Sequence, residues 1–405
     1  MNPRDVLSFE PTVDNSPRSC PGCGSDKTLP FFELQGVPTN SCILLESAEE
    51  ARNCPVGHVL LCFCQECGFI GNHAFEPRLT EYSERYEETQ GYSRTFTHYL
   101  ETLARDLVDR IGLHGKKIVE IGCGKGEFVA LLCHFAEAEG IGFDPAFRDD
   151  RRPGIAKDNV CYVQDRFSNA YADLDADFYC CRMTLEHIPE VGEFLRMLRQ
   201  TLRNRPDALI YFQVPEFERI LANGLFCDVP YEHCSYFSGQ SLELAFRRAG
   251  FEVVGTEVGY GGQHLGVLAR PGETSQERGN LRSLRQLALD FTWRSAEGAR
   301  DWVNRLERAT ERGERVAVWG SGSKATAFLS SLRIYDAVTQ VVDINPHRQG
   351  HFMASTGQPI VAPEELLNVR PDHVIIMNPM YRGEISQILG RLGLAPQLHD
   401  LAILS

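Results

Sequence analysis

The 405-residue sequence contains no apolar run near the roughly 18–20 residues that a membrane-spanning helix needs. Its N-terminal stretch is polar and lacks the hydrophobic block of a secretory signal, so the expected setting is a reducing cytoplasm. Cations are also in deficit: 41 lysines and arginines face 55 acids, a formal net charge of −14. That balance argues against nucleic acid or an anionic membrane as partner, and leaves a small molecule held in a local pocket. No internal repeat or low-complexity tract stands out, which excludes repeat architectures. What is present is ordinary for a globular chain, 43% hydrophobic and 24% charged. The length allows two or three domains with buried cores. The oligomeric state is not set by any of this.

Cysteine is not scarce. There are fourteen, many of them in apolar strands or in one close-spaced group, which favours reduced thiols over disulfides. Cys20-Pro-Gly-Cys23-Gly and Cys64-Gln-Glu-Cys67-Gly are two Cys-x-x-Cys knuckles about 40 residues apart. Each can place two thiolates on one ion, and four complete a tetrahedral site. The glycine after each second cysteine suits a tight turn. Zinc on Cys20, Cys23, Cys64 and Cys67 is expected, in a structural role because four thiolates leave no open position. Reduced thiols or disulfides in a loop-rich domain are the alternative, and Cys42, Cys54, His58 and Cys62 are spare ligands.

The most informative stretch is Lys117-Ile-Val-Glu-Ile-Gly-Cys-Gly-Lys-Gly-Glu-Phe128. An apolar strand runs into a turn with Gly122, Gly124 and Gly126, then into a helix from about Glu127. Glycine permits tight turning and close ligand approach, and the helix N-terminus offers unpaired N–H groups. Glu120 at the strand end would repel a pyrophosphate, so a cationic, phosphate-free cofactor fits better. A second strand ends at Gly142-Phe143-Asp144-Pro145, where an acid can accept bonds from a ribose diol; Asp165 follows the next strand. Glu120, Gly122, Gly124, Asp144, Pro145 and Asp165 are the candidate cofactor residues. The set resembles the cofactor site of class I S-adenosylmethionine-dependent methyltransferases.

Around this motif the chain divides in three. Residues 1–19 read as a loose lead and 1–80 as a small zinc-binding domain with strand-like runs such as 57–61. From 81 to 272 a polar aromatic stretch, Tyr82 to Tyr99, leads into a helix over Leu100–Ile111 and then an α/β alternation. Strands are predicted at 117–121, 140–143, 160–163, 177–181 and 208–213, with helices near 127–136, 190–203 and 239–249. A terminal antiparallel pair, Phe251–Val258 and Gly266–Ala269, completes a doubly wound order. Residues 273–405 comprise a charged helical linker, with Leu281, Leu284, Leu287 and Leu289 along one side, and a second α/β unit. The latter opens at Arg315-Val-Ala-Val-Trp-Gly320-Ser-Gly322-Ser-Lys324, with further strands at 339–343 and 373–377.

Candidate chemistry sits on loops at the carboxyl ends of the strands. Cys181-Arg-Met-Thr-Leu-Glu186-His187-Ile-Pro189 follows the fourth strand, and Tyr231-Glu232-His233-Cys234-Ser235-Tyr236-Phe237-Ser238 comes after the fifth. Two histidines over one cofactor invite an acid–base reading, since imidazole titrates near neutrality. A packing or capping duty is the competing reading for both. Tyr86 and Tyr92 in the aromatic lead-in are candidates for a lid, with core packing as the alternative, and His264 is a further pocket candidate. In the C-terminal unit, Gly320, Gly322 and Lys324 would suit phosphate, unless that turn is a vestigial nucleotide fold. Asn378 could line the same cleft.

Taken in order, these parts resemble the sugar C-methyltransferases of deoxysugar biosynthesis, from Cys20 to about Leu394. The marks are the paired knuckles, the run Glu232–Ser238, and Gly320-Ser-Gly-Ser-Lys324 followed by Val342-Asp-Ile-Asn-Pro346. The resemblance implies a Rossmann-like methyltransferase core between a zinc domain and a C-terminal Rossmann-like α/β domain. It also implies S-adenosylmethionine, structural Zn2+, a nucleotide-linked 4-keto sugar as substrate, antibiotic-type sugar biosynthesis, and methylation beside the ketone. Glu232 and His233 correspond to the family's Glu-His pair, with His233 the base, and His187 to its histidine after strand four. Tyr231 and His187 would steady the enolate oxygen. Pro230 stands where the family has a tyrosine, and Tyr260 where its His-Gly-Gly motif has histidine. Other readings are an O- or N-methyltransferase, or a non-catalytic zinc-containing binding protein.

Overall fold

The computed structural model describes residues 11, 19–156, 158–275, 279–332 and 335–401. Apart from residues 11 and 19, the lead expected over 1–19 lies outside the described residues. None of the helices described is long and apolar enough to cross a membrane.

The N-terminal region is an antiparallel sheet of β1 (Thr28–Pro38), β2 (Val56–Cys64) and β3 (Ile70–Asn72), with the short helix α1 (Ala48–Arg52) between the first two strands. The strand-like run expected at 57–61 is the middle of β2, whereas β1 has no clear alternation and was not predicted. The free edge of β3 pairs with Ser235–Tyr236, a segment from far down the chain. Backbone pairing thus ties the knuckle region to the loop that carries His233.

Helix α2 (Arg94–Ile111) begins six residues before the expected Leu100. Ser93 caps it, its hydroxyl accepting from the Phe96 amide, and Gly112 ends it in the left-handed conformation. Part of the polar aromatic stretch is therefore helix. The Glu384 carboxylate accepts from Ser93 Oγ (2.7 Å) and from the Arg94 and Thr95 amides (3.1 and 3.3 Å), placing a negative charge on the helix N-terminus.

The central sheet comprises β4 (Lys117–Ile121), β5 (Glu139–Phe143), β6 (Val160–Val163), β7 (Phe178–Arg182) and β8 (Leu209–Pro215), all parallel. After β9 (Ser235–Tyr236) come β10 (Phe251–Gly259) and β11 (His264–Pro271), and β11 runs antiparallel to β8. The order is β10-β11-β8-β7-β4-β5-β6. Helices α3 (Glu127–Ala136), α4 (Val191–Thr201), α5 (Phe217–Asn223) and α6 (Gly239–Arg248) connect the strands. Strands β4, β7 and β8 are buried almost throughout because cores lie on both faces, Glu120 of β4 included. The order reverses beside β4, and there the carboxyl ends of the strands open a crevice.

Helix α7 (Arg282–Glu311) leads to the last unit. Its buried stripe is Leu284, Ala288, Phe291, Ser295, Ala299, Trp302, Val303, Leu306 and Ala309. Leu289 was expected on this side, but it is 41% exposed. A spacing of five from Leu284 carries it off the stripe. The C-terminal sheet holds β12 (Val316–Trp319), β13 (Val338–Val342), β14 (Ile360–Val361), β15 (His373–Ile376) and β16 (Gln397–Asp400), all parallel, in the order β14-β13-β12-β15-β16. It is flanked by α8 (Ser323–Leu332), α9 (Leu366–Val369) and α10 (Arg382–Arg391). One apolar cluster joins Phe31 and Phe32 of β1, Phe217 of α5, Phe291 of α7 and Phe328 of α8, so the N-terminal and C-terminal sheets share a core.

Candidate active site

The cysteine group assembles first. Cys20 and Cys67 sulfurs lie 3.7 Å apart, and Cys23 and Cys64 sulfurs 3.6 Å. Zn–S bonds of about 2.3 Å in a tetrahedron put sulfurs about 3.8 Å apart, so the four fit a single ion. Gly24 and Gly68 take positive φ (75° and 71°) and their amides close the knuckle turns onto the Cys20 and Cys64 carbonyls. The spare candidates fall outside the group: Cys42, Cys54 and Cys62 are not in it, and His58 pairs with Glu33 at 3.0 Å.

The main cavity, about 620 Å³, opens at the carboxyl ends of β4, β5 and β7. Gly122 and Gly124 adopt φ of 70° and 54°. A Cβ at Gly122 would lie 2.1 Å from Thr184 Oγ1, and one at Gly124 would lie 2.6 Å from Glu88 Oε1. Backbone conformation favours glycine at both, and at Gly122 the Thr184 side chain leaves no space for a Cβ. Asp144 accepts from the Gly124 amide (2.9 Å) and the Ala146 amide (2.8 Å), which locks the turn to the end of β5. Glu120 is buried, accepts from the Val129 amide at 2.8 Å, and burial pushes its carboxyl up to about 7. Pro145 and Asp165 line the same end; Asp165 accepts from Tyr171 Oη at 2.7 Å.

Over this turn lies the segment 82–92. Glu88 faces the cavity beside Lys125 (3.3 Å), and burial raises it to about 7. Lys125 Nζ donates to the Tyr86 carbonyl at 2.8 Å and so ties the segment to the glycine turn. Three carboxylates, Glu88, Glu120 and Asp144, therefore surround a space that suits a cation.

At the far end are His187 and His233, rings perpendicular with centroids 4.8 Å apart. His187 Nδ1 is 3.1 Å from the Glu232 carbonyl and 2.9 Å from Tyr82 Oη. A carbonyl only accepts, so the proton resides on Nδ1 and the lone pair on Nε2. Burial lowers His187 to about 4 and His233 well below its usual value, leaving both imidazoles neutral at pH 7.

Two expected partnerships do not form. The Glu232 carboxylate turns to the Ser41 amide (3.1 Å), the Ser41 hydroxyl and Tyr86 Oη (3.4 Å) rather than to His233. The reason is that an unpaired buried carboxylate needs donors, and the loop after β1 supplies them. Tyr231 is not a cavity residue either. Its hydroxyl accepts from the Glu76 amide at 2.8 Å and its ring packs on Phe75 and over Gly57.

The remaining candidates lie where the central and C-terminal sheets meet. His264 stacks on Tyr260 (centroids 4.6 Å) with Nδ1 3.1 Å from Tyr99 Oη. Lys324 pairs with Asp228 (2.9 Å) and donates to Gln263 Oε1 (3.2 Å), while Gln263 donates to Asn378 Oδ1 (2.9 Å). A second cavity of about 250 Å³ extends from here along Gly320–Lys324 to Asn378 and buried Arg348. Tyr92 lines this second cavity only, 41% exposed and against the His347 ring. Tyr86 lines the first.

Sequence reasoning missed Glu88, Lys125, Ser41 and Asp228, and it placed Tyr82 in the lid segment but favoured Tyr86 and Tyr92 over it. Tyr82 and Glu88 stood in a polar aromatic run that already looked like a lid; Ser41 and Asp228 had no local signal.

Residues 96–256 match the model of a methyltransferase domain, and residues 274–392 that of a C-methyltransferase C-terminal domain. The chain is an S-adenosylmethionine-dependent methyltransferase. This methyltransferase is 26% identical over 390 residues to the C-methyltransferase NovU of Streptomyces niveus, covering 90% of each chain. Among solved structures, it is similar to the PH0226 protein from Pyrococcus horikoshii OT3 (16% identity, TM-score 0.37, 47% of this chain and 100% of that one). It is also similar to magnesium protoporphyrin IX methyltransferase from Synechocystis PCC 6803 (15%, TM-score 0.34, 44% and 84%).

Proposed function

We propose that this methyltransferase adds a methyl group to the carbon alpha to the ketone of a nucleotide-linked keto sugar. The observation that carries the proposal is the single cavity linking the acidic glycine turn to His187, His233 and Lys324. The similarity to a C-methyltransferase over 90% of the chain supports carbon as the acceptor atom.

Glu120, Gly122, Gly124, Asp144, Pro145 and Asp165 hold the cofactor, with Glu88 covering its cationic part. S-adenosylmethionine, when bound, supplies an electrophilic methyl carbon on a sulfonium. His233, neutral through burial, takes the proton from the α-carbon. The ketone is essential, because an unactivated C–H is far too weak an acid for imidazole. Glu232 acts indirectly, holding Tyr86 and the loop at Ser41. With Tyr231 turned away and the Tyr86 proton given to Glu232, the Tyr82 hydroxyl is the donor for the enolate oxygen. The nucleotide extends toward Tyr92, His264, Lys324 and Asn378, with Lys324 adding an anionic partner to Asp228. The chief gain is holding carbon and methyl at near-attack distance.

The proposed partition is a zinc-binding domain (1–80), a methyltransferase domain (81–272) and a C-terminal α/β domain with a helical linker (273–405). Zn2+ on Cys20, Cys23, Cys64 and Cys67 is structural. Metal analysis should find at least one zinc per chain, and Cys64→Ser should lose one together with thermal stability. A zinc-free protein of unchanged stability would refute that role.

The deciding experiment incubates the protein with S-adenosylmethionine and a panel of nucleotide-linked 4-keto sugars. A one-methyl mass gain placed on carbon by NMR is expected. Methyl on oxygen or nitrogen would replace this reading with the other acceptor classes. His233→Asn should cut turnover about 10²- to 10⁴-fold while cofactor affinity stays. Undiminished turnover removes His233 as the base.

A further inference from the structure

Glu186 has no part in the chemistry above, yet it is 1% exposed, lines the main cavity, and its Oε2 is buried without a hydrogen-bond partner. A bare carboxylate oxygen in such a place is costly unless something positive or protic meets it. Its neighbours are nitrogen ligands. Glu186, His187 and His233 each offer one ligand atom, and the three atoms lie within 4.8 Å of one another.

Three features make the group suited to a metal ion. Bonds of about 2.0–2.2 Å to nitrogen and oxygen place tetrahedral ligands about 3.3 Å apart, so modest side-chain rotations close the set. His187 is held by its Nδ1–H on the Glu232 carbonyl at 3.1 Å, which leaves Nε2 as a lone-pair donor; ligating histidines are oriented in this way. Two imidazoles and one carboxylate leave a coordination position open toward the cavity. Arg182 is the cation within electrostatic reach of Glu186, but its Nε donates to Gln213 (3.1 Å) and its guanidinium lies over the Phe128 ring.

We propose that Glu186, His187 and His233 form a second metal site, which takes a divalent late transition ion such as Zn2+ or Co2+ at the acceptor end of the cavity. Imidazole with carboxylate suits these ions and disfavours Mg2+ and Ca2+. Coordination engages the His233 lone pair, so occupancy and proton abstraction exclude each other. This consequence rests on the reading of His233 as base; the binding itself does not.

The test starts from the purified protein with its metal content measured. Equilibrium dialysis against Co2+ should load one further ion per chain, with ligand-field absorption but without the thiolate-to-cobalt charge transfer that replacement in the cysteine group would give. Glu186→Gln and His187→Ala should each weaken this binding at least about tenfold. S-adenosylmethionine affinity in the same variants reports that they are folded. No additional cobalt, or equal affinity in both folded variants, overturns the site. In the wild-type protein, turnover should fall along the cobalt-binding curve. Loading without inhibition supports the site and counts against His233 as the base.

Discussion

Two glycine turns in this molecule start from nearly the same backbone. Gly122 and Gly320 each follow a buried strand and donate to the carbonyl that ends the neighbouring strand, Phe143 and Val342, both at 2.8 Å. Each turn is then fastened to the acid one residue later. Asp144 accepts from the Gly124 and Ala146 amides, and Asp343 from the Ser321 and Asn345 amides, at 2.9 and 2.8 Å in both cases. The side chains differ. Two residues before the first glycine stands Glu120 in one turn and apolar Val318 in the other. Four residues after it, Gly126 carries no side chain and packs under the Tyr162 ring, whereas Lys324 brings a cation, paired with Asp228. Buried Arg348 donates to Ser321 Oγ at 3.0 Å and adds positive charge beside the second turn. One backbone device thus carries buried acids at one site and buried or paired cations at the other, which fits the proposed cofactor and nucleotide ends.

Glycine replacements should separate the turns most strongly. Gly124→Ala places a Cβ 2.6 Å from Glu88 Oε1 at positive φ, so a loss of about 1–2 kcal/mol and weaker cofactor binding are expected. Gly322 is its counterpart, two residues after the first glycine of the second turn. Gly322→Ala meets nothing within 4 Å and should change stability by under about 0.5 kcal/mol. Denaturant unfolding of both variants checks this; equal losses would erase the contrast.

The paired acids come next. Asp144→Asn removes charge beside the cofactor and should weaken S-adenosylmethionine about tenfold, whereas Asp343→Asn should leave it unchanged and raise KM for the nucleotide-linked acceptor. Calorimetry and steady-state kinetics read the two effects. A cofactor defect in Asp343→Asn would contradict the division.

The smallest effect is on pH. Glu120 and Glu88 are both pushed up to about 7 by burial. Below that pH they are protonated and offer a cation little, and above it they are ionised. Cofactor affinity should therefore rise as pH passes through 7, by up to tenfold per unit for each carboxyl whose ionisation the cofactor requires. Glu120→Gln should flatten the rise, and an unchanged slope would remove Glu120 from the pair.

The glycine turn and the acids around it were legible because their signals are local. Glu120, Gly122 and Gly124 lie within five residues, and Asp144 ends the adjacent strand. The knuckles were legible for the same reason. Helix α2 was foreshortened because its first turn, rich in threonine and aromatics, owes its start to Ser93 and to Glu384, nearly 300 positions away. The Glu232–His233 pairing failed because Glu232 sits in a turn, closed by the His233 amide on the Pro230 carbonyl, that sends the two side chains in different directions. Glu232 was claimed by Ser41, 191 positions earlier.

By itself the sequence determined the period of each element, the left-handed turns that only glycine fills, and the thiolate spacing. These depend on sterics and neighbours a few residues apart. Tertiary structure alone decided which buried acids and imidazoles face one another: Glu88 over the glycine turn, Tyr231 out of the cavity, and Glu186 beside two histidines. Removing a polar group from water demands a partner, and the partner that satisfies it is set by packing between distant segments.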